Sequence, residues 1–276
     1  MTTSQLPITG IDTHAHIFNR ELALAPGRRY SPDYDALAEQ YLRMLDSCEL
    51  SHGVLVQPSF LGTDNSFLLD ALRKYPERLR GIAVVAPSIC EDELEQLAVA
   101  GVVGIRLNLV GQALEDYSGD LWQAFFQRIA GRQWLVEIQR SIDDLAQILP
   151  AILSAGVNVV IDHFGLPEDG IDPQQPGHKA FLELLANQQL WLKLSAPYRS
   201  RSSAEKAHRM LEVLRAASGG VDRMLWGSDW PHTQFEDKTG YAEQFKRIQA
   251  LLPDPHDWRK VLRDNPARLF KFANSI

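Results

Sequence analysis

Four side chains that can move protons or bind cations stand at the ends of short apolar segments. His14 and His16 occur in ITGIDTHAH, His163 occurs in NVVIDHF, and Asp229 occurs in RMLWGSDW. In an extended segment, residues at positions i and i+2 project to the same face, so His14 and His16 can present two imidazoles to one point. A carboxylate can then take a proton from water while the imidazoles polarise a carbonyl group. The four residues therefore predict a hydrolytic site.

Each of these residues also has a purely structural interpretation. A lone histidine at a strand end is more often held by backbone partners than engaged in chemistry. An aspartate after a strand commonly caps a loop or a helix. Because four such residues end separate segments, a common site is favoured over four unrelated structural roles.

The apolar segments that carry these residues belong to a series of eight. Each is short and nearly continuous in its hydrophobicity, as expected of parallel strands that are covered on both faces. Amphipathic stretches with apolar residues at helical spacing lie between them. Eight alternating units favour a closed (β/α)8 barrel, or TIM barrel, over an open parallel sheet, which is the alternative fold. The predicted strands lie near residues 8, 53, 79, 101, 134, 158, 190 and 223.

The bulk properties of the chain agree with one such barrel. Its 276 residues are 45% hydrophobic and 23% charged, and no linker divides them, so we predict a single domain over residues 1–276. Cys48 and Cys90 lie far from each other and neither belongs to a cluster of cysteines and histidines at ligand spacing, so they predict neither a disulfide nor a thiolate metal site.

Charge and hydropathy exclude several classes of partner. The formal net charge of −7, with no basic cluster beyond Arg28 and Arg29, argues against nucleic-acid binding. The first residues have no basic segment followed by an apolar one, and no apolar run of about 18 residues occurs. We therefore predict a cytoplasmic protein that does not interact with membranes. The subunit count stays open, with a homo-oligomer among the alternatives.

Polar residues at the other predicted strand ends indicate what the site binds. In a parallel barrel the active site lies at the carboxyl ends of the strands. Arg106 ends strand four and Arg199 follows strand seven, and a planar guanidinium is suited to a carboxylate. We therefore predict a small anionic substrate, with salt bridges to neighbouring acidic residues as the alternative role of both arginines. Ser59, after strand two, and Gln139, at the end of strand five, are further candidate contacts.

The chain resembles the amidohydrolase superfamily from end to end. The HxH motif of the superfamily appears in IDTHAH and its strand-eight aspartate in LWGSDWPH. More narrowly, the chain looks like the amidohydrolase 2 branch, which contains lactonases that act on 2-pyrone-4,6-dicarboxylate and on sugar acids. The segments that carry this narrower resemblance are VQPSFLGTDN, GIRLNLVG, VVIDHFGLP, KLSAPYR and MLWGSDWPHT.

The resemblance implies roles for particular residues. It makes Asp229 the general base for water, and it makes the three histidines of the site the groups that polarise a lactone carbonyl. It also implies that Arg106, Arg199 and Tyr30 contact substrate carboxylates. A function in aromatic catabolism follows from the same resemblance.

The metal content is a separate question, because many members of the superfamily bind one or two divalent ions. Here strand four offers the cation Arg106, and strand five offers Gln139 or Glu137 where a histidine is usual, so a binuclear centre is not supported. The resemblance to the lactonase branch implies catalysis without a metal, and we expect no cofactor. The alternative is one zinc ion on His14, His16 and Asp229, because catalytic zinc needs only three protein ligands.

The predicted function is hydrolysis of a carboxylate-bearing lactone similar to 2-pyrone-4,6-dicarboxylate. Alternatives on the same barrel are a mononuclear zinc-dependent amidohydrolase or decarboxylase, and a sugar-acid lactonase. A barrel that binds a ligand without catalysis is the alternative outside enzymes.

Overall fold

Eight parallel strands follow one another around a barrel in the computed structural model, which describes residues 6–272. Each strand pairs with the next one in the chain. The barrel closes through backbone bonds from Asp229 N to His14 O (2.8 Å) and from His16 N to Trp230 O (2.7 Å). The strands are β1 Ile11–Ala15, β2 His52–Val56, β3 Leu79–Ala83, β4 Val102–Asn108, β5 Leu135–Gln139, β6 Asn158–Ile161, β7 Leu190–Ser195 and β8 Met224–Gly227.

Helices connect successive strands and cover the outside of the barrel. The predicted (β/α)8 fold is therefore confirmed. None of the helices between residues 6 and 272 combines the length and apolarity that a membrane crossing needs. The helices are α1 Ala38–Ser47, α2 Ser66–Lys74, α3 Glu91–Ala100, α4 Asp120–Gly131, α5 Ile142–Leu153, α6 Pro176–Leu184, α7 Ala204–Ser218, α8 Tyr241–Leu251, α9 Pro255–Arg259 and α10 Asn265–Leu269.

The C-terminal segment packs back onto the barrel. A π-helical turn over Lys260–Asp264 joins α9 to α10. The Asn265 side chain, which opens α10, donates to Val221 O and Met224 O, both at 2.8 Å. Helix α10 is thereby held against the start of β8.

The interior of the barrel changes from apolar to polar along the strands. Leu135 on β5 and Trp191 on β7 belong to a buried apolar cluster. Two residues further along, Glu137 and Lys193 form a buried ion pair. Because alternate residues of a strand face the same side, each of these strands contributes an apolar residue first and a polar one nearer the carboxyl end. Polar chemistry is therefore confined to one end of the barrel.

Candidate active site

The three histidines and the aspartate predicted to act together converge at the carboxyl end of the barrel. Asp229 Oδ1 lies 3.7 Å from His14 Nε2, 3.7 Å from His16 Nε2 and 3.8 Å from His163 Nε2. All four side chains are buried. The structure thus brings together the four residues that the sequence singled out; we call them the quartet.

Local backbone geometry directs these side chains into the barrel. Gly227 ends β8 beside β1, and a Cβ atom on it would lie 2.5 Å from the Cβ atom of His14, so only glycine allows the two strands to approach. His163 and Asp229 have φ values of 53° and 61°. A positive φ is uncommon for residues other than glycine and is a feature of functional sites. Both residues therefore turn sharply after their strands.

Hydrogen bonds fix the proton positions on two of the histidines. His16 Nδ1 lies 2.7 Å from Val56 O, and because a carbonyl only accepts, this nitrogen carries the proton. His14 Nδ1 lies 3.0 Å from Lys193 Nζ, and because an ammonium only donates, this nitrogen accepts and the ring proton lies on Nε2. The two Nε2 atoms are 3.2 Å apart. Two lone pairs repel at this distance, so a proton or a cation is needed between them.

The directions of the two pKa shifts agree with a proton on His14. Burial and the charge of Lys193 oppose protonation of His14, but Asp162 and Glu137 outweigh them and raise its pKa. Burial, followed by the charges of His14 and Arg106, lowers the pKa of His16 well below its usual value. His14 is therefore the member of the pair that holds the shared proton.

The third histidine stays neutral. Its Nδ1 atom lies 2.9 Å from Ser195 Oγ, and its Nε2 atom has no hydrogen-bond partner among the described residues. Burial lowers the pKa of His163 to about 3, although Asp229 and Asp162 act in the opposite direction. At neutral pH His163 is an uncharged imidazole beside Asp229.

The two oxygens of Asp229 have different environments. Oδ2 accepts from Arg199 Nε at 2.6 Å and from the Tyr198 hydroxyl. Oδ1 is buried, faces the histidines and receives no hydrogen bond from the described residues. Burial opposes ionisation, but Arg199 and the histidines hold the pKa of Asp229 well below its usual value. Asp229 is thus an ionised carboxylate with one oxygen free to accept a proton.

Tyr198 is a site residue that sequence reasoning missed. Its hydroxyl also lies 3.1 Å from Nδ1 of His232, in the loop after β8. The residue stands directly before Arg199 in KLSAPYR, and neither its type nor its spacing marked it. Through its contact with this hydroxyl, His232 stabilises the loop that carries Asp229.

A buried ionic layer lies beneath the quartet. We define the inner ionic layer as Lys193, Glu137, Asp162 and Arg106, all at most 3% exposed. Lys193 Nζ contacts the Glu137 carboxylate and lies 3.4 Å from Asp162 Oδ1 and 3.0 Å from His14 Nδ1. The other oxygen of Asp162 lies 3.3 Å from Arg106 Nη2. Two formal positive charges therefore face two formal negative ones, and the layer holds the His14 ring from below.

Both arginines that were predicted to bind substrate form salt bridges within the protein. Arg199 pairs with Asp229, as described above, and Arg106 pairs with Asp162. Arg106 Nη2 also donates to Gln139 Oε1 at 2.7 Å, while its buried Nε has no partner among the described residues. The salt-bridge alternative thus holds for both residues, but Arg106 keeps one donor that no protein group satisfies.

The remaining candidate contacts lie at the mouth of the barrel. The Tyr30 hydroxyl lies 3.2 Å from Thr233 Oγ1, in the loop after β8, and its ring packs on Phe60. Ser59 begins a short 3₁₀ turn after β2, and no hydrogen bond joins it to the quartet within the part of the chain described. Gln139 Oε1 accepts from Asn108 as well as from Arg106, so its amide oxygen is already engaged.

The quartet also fits one divalent cation. The Nε2 atoms of His14 and His16 and Oδ1 of Asp229 lie 3.2 to 3.7 Å apart. Ligands at tetrahedral zinc, with bonds of about 2.0–2.1 Å, lie roughly 3.4 Å from one another. His14, Asp162 and His163 form a second group of suitable donors, but the ammonium of Lys193 lies against it. Residues 6–272 therefore offer one site suited to a metal ion.

A parallel (β/α)8 barrel with histidines from β1 and after β6, and an aspartate after β8, defines a hydrolase of the amidohydrolase type. The sequence profile of the family described as Amidohydrolase matches residues 11–272, and the chain belongs to this family. The predicted family is confirmed.

Individual relatives narrow the class of enzyme. The chain is 32% identical to a 2-pyrone-4,6-dicarboxylate hydrolase of Comamonas testosteroni, covering 96% of this chain and 91% of that one. It is 31% identical to a 4-sulfomuconolactone hydrolase of Rhizobium radiobacter, with the same coverage of 96% and 91%.

A solved structure supports the same class. The crystal structure of a probable 2-pyrone-4,6-dicarboxylic acid hydrolase from Acinetobacter baumannii, with citric acid bound, superimposes with a TM-score of 0.91. It is 38% identical to this chain and covers 95% of it and 99% of its own length. The predicted enzyme class, a lactone hydrolase of the amidohydrolase superfamily, is confirmed. The predictions of a cytoplasmic location, a single domain and no nucleic-acid partner stay predictions.

Proposed function

We propose that this protein hydrolyses a lactone that carries carboxylates, similar to 2-pyrone-4,6-dicarboxylate. The observation that carries the proposal is the asymmetry of Asp229, whose Oδ2 is held by Arg199 and Tyr198 while Oδ1 is unpaired and faces three imidazoles. The relatives named above act on lactones with acidic substituents, according to their names. Citric acid bound to the neighbour from A. baumannii supports an anionic ligand.

In the proposed mechanism, water attacks the lactone carbonyl carbon while Asp229 Oδ1 takes one of its protons. The carbonyl oxygen becomes an oxyanion, which is stabilised by the proton-bearing His14 and by His163 with its proton on the unpartnered Nε2. The bond between this carbon and the ring oxygen then breaks, and the ring oxygen leaves with the proton that Asp229 received. One water is consumed, and a carboxylic acid and a hydroxyl group are formed.

Substrate contacts follow from the donors that the protein leaves unsatisfied. Arg106 Nε is buried without a partner among the described residues, and leaving a buried donor unpaired costs about 1–3 kcal/mol. A substrate carboxylate would satisfy it. The other proposed substrate contacts are Arg199, Tyr30, Ser59 and Gln139. Which lactone is bound depends on which of these side chains contacts each substituent of the ring.

We further propose that turnover does not require a metal. Glu137, Asp162 and Asp229 are already matched in formal charge by Lys193, Arg106 and Arg199. A divalent ion would therefore add two charges to a buried site that is balanced without it, which is unfavourable. If loaded, the ion would be held by His14, His16 and Asp229, and it would polarise the carbonyl and lower the pKa of water.

The test is a panel of pyrone dicarboxylate, muconolactone and aldonolactone substrates, assayed with and without chelator on protein of measured metal content. We expect opening of the pyrone ring that survives chelation. Loss of turnover on chelation, restored by stoichiometric zinc, would support the zinc-dependent alternative. Opening of the aldonolactone alone would indicate a sugar-acid lactonase, and binding without turnover would indicate a non-catalytic barrel.

A further inference from the structure

Two adjacent arginines in the loop between β1 and α1 differ in their surroundings. Arg28 donates from Nε to Ser31 Oγ at 2.7 Å and from Nη1 to Ala25 O at 3.3 Å, both within its own loop. Arg29 instead reaches across to β4, where its Nη2 lies 3.3 Å from Asn108 Oδ1. Among residues 6–272, no carboxylate pairs with Arg29 within 4.0 Å. Its charge is therefore available to a ligand.

A short relay of amides connects Arg29 to the proposed substrate site. Asn108 Nδ2 donates to Gln139 Oε1 at 2.9 Å, and the same oxygen accepts from Arg106 Nη2 at 2.7 Å. Arg29, Asn108 and Gln139 thus lie in one chain of contacts that ends at the inner arginine. Partial burial of the guanidinium lowers the pKa of Arg29, and the charges of Arg106 and Arg199 act in the same direction.

Two of these three arginines line one cavity, together with Gln139 from the relay. Arg29, Gln139 and Arg199 line a space of about 560 Å³ at the mouth of the barrel. Two acids in the same lining have cationic partners within the described chain, since Asp144 pairs with Arg140 and Asp143 with His178. The third acid is Glu168. Repulsion among like charges in a cleft is relieved by an anion, so this geometry favours a ligand with more than one negative group.

We propose that Arg29 is a specificity-determining residue that binds the outer anionic group of a doubly charged lactone. This inference rests on the proposed function. The buried Nε of Arg106 takes the inner anionic group, and the exposed guanidinium of Arg29 takes the outer one. A singly charged lactone leaves Arg29 in water, where an unpaired guanidinium has no energetic cost. Arg29 therefore selects doubly over singly anionic substrates.

The experiment compares Arg29→Ala with Arg28→Ala, which removes the same charge from the adjacent position. The substrates are 2-pyrone-4,6-dicarboxylate and a monocarboxylate lactone. A charge-assisted hydrogen bond at an exposed position corresponds to a change of roughly tenfold. We expect the ratio of kcat/KM for the two lactones to fall about tenfold in Arg29→Ala, mainly through KM, and to stay within twofold of wild type in Arg28→Ala.

A binding measurement keeps the inference separate from the proposed function. Citrate serves as the multiply charged probe in calorimetry, and its Kd is expected to rise about tenfold in Arg29→Ala only. If the wild-type enzyme opens neither lactone, the proposed function fails while the citrate comparison still tests Arg29. Equal ratios and equal citrate affinities in the two variants would overturn the inference.

Discussion

The cations of the inner ionic layer and Arg29 at the mouth differ in how they are paired. Within the layer, Lys193 and Arg106 each lie within 3.4 Å of a carboxylate, and none of the side chains is more than 3% exposed. At the mouth, Arg29 is exposed and pairs with no carboxylate of residues 6–272. A buried charge without a partner costs several kcal/mol, whereas a solvated one does not. Burial thus requires each charge of the inner ionic layer to have a partner, whereas Arg29, which is exposed at the mouth, can stay without one.

The difference in pairing suits the two regions to different tasks. In the proposed function, the paired layer positions His14, and Arg29 at the mouth binds the substrate. Asp229 stands between the two regions, because Oδ2 pairs with an arginine while Oδ1 is free. Variants of each region should therefore change different measured quantities.

The largest effect is expected for Asp229→Asn, which removes the proton acceptor. Loss of a general base typically lowers a rate by about 10²–10⁴-fold, so we expect kcat to fall about 10³-fold. Asp169→Asn, which changes an exposed aspartate paired with Lys206, is the matched control. Steady-state kinetics measure the loss of kcat, and calorimetry measures whether citrate binding is retained. An unchanged kcat, or a loss of citrate binding as large as the loss of kcat, would contradict the assignment.

Removing one charge from the inner ionic layer should destabilise the fold. Lys193→Met leaves Glu137 without its cation, and breaking a buried pair in this way costs about 3–5 kcal/mol. The free energy of unfolding in urea measures the effect. Lys206→Met removes a partly exposed lysine paired with Asp169 and should cost at most about 1 kcal/mol. Equal losses in the two variants would show that the layer is no more than a set of ordinary ion pairs.

His232 gives the mouth a pH dependence of stability. Burial lowers the pKa of His232 to about 4, whereas an unfolded histidine has a pKa of about 6.5. As the pH falls through this window, the unfolded chain takes up a proton that the folded chain does not, so stability falls with it. Between pH 7 and pH 5 this single group accounts for about 2 kcal/mol.

The variant that tests this is His232→Asn, which removes the titrating ring. Its loss of unfolding free energy between pH 7 and pH 5 should be about 2 kcal/mol smaller than that of wild type. His208→Asn, on the exposed side of α7, controls for a histidine substitution at the surface. Parallel pH profiles for wild type and His232→Asn would refute the assignment.

The smallest effect is expected for Arg106→Lys, which belongs to both regions. Lysine keeps the charge opposite Asp162 but lacks the Nε donor that is free for substrate. We expect KM to rise about tenfold, as for one lost charge-assisted hydrogen bond, with a smaller change in kcat. Arg128→Lys, at an outer pair with Glu91, is the control in the same kinetic assay. A change in kcat without a change in KM would show that Arg106 belongs only to the inner ionic layer and does not bind the substrate.

Much of the fold and part of the site could be predicted from the sequence. The alternation of apolar runs with amphipathic stretches predicts parallel strands that are covered on both faces, and the count of eight favours a barrel over an open sheet. The HxH spacing places two imidazoles on one face of a strand, since side chains alternate along it. Residues that end strands of a parallel barrel meet at one rim. These arguments use local periodicity, which is fully contained in the sequence.

The pairing of charges was decided only by the tertiary structure. Lys193 meets Glu137, 56 positions away, and His14, 179 positions away, and Tyr198 and Arg199 both reach Oδ2 of Asp229. Such partners depend on strand register and barrel closure, which the sequence pattern does not reveal residue by residue. Which charges are matched and which are left for a ligand is a property of three-dimensional packing, because a buried charge takes its partner from whichever element lies nearest in space.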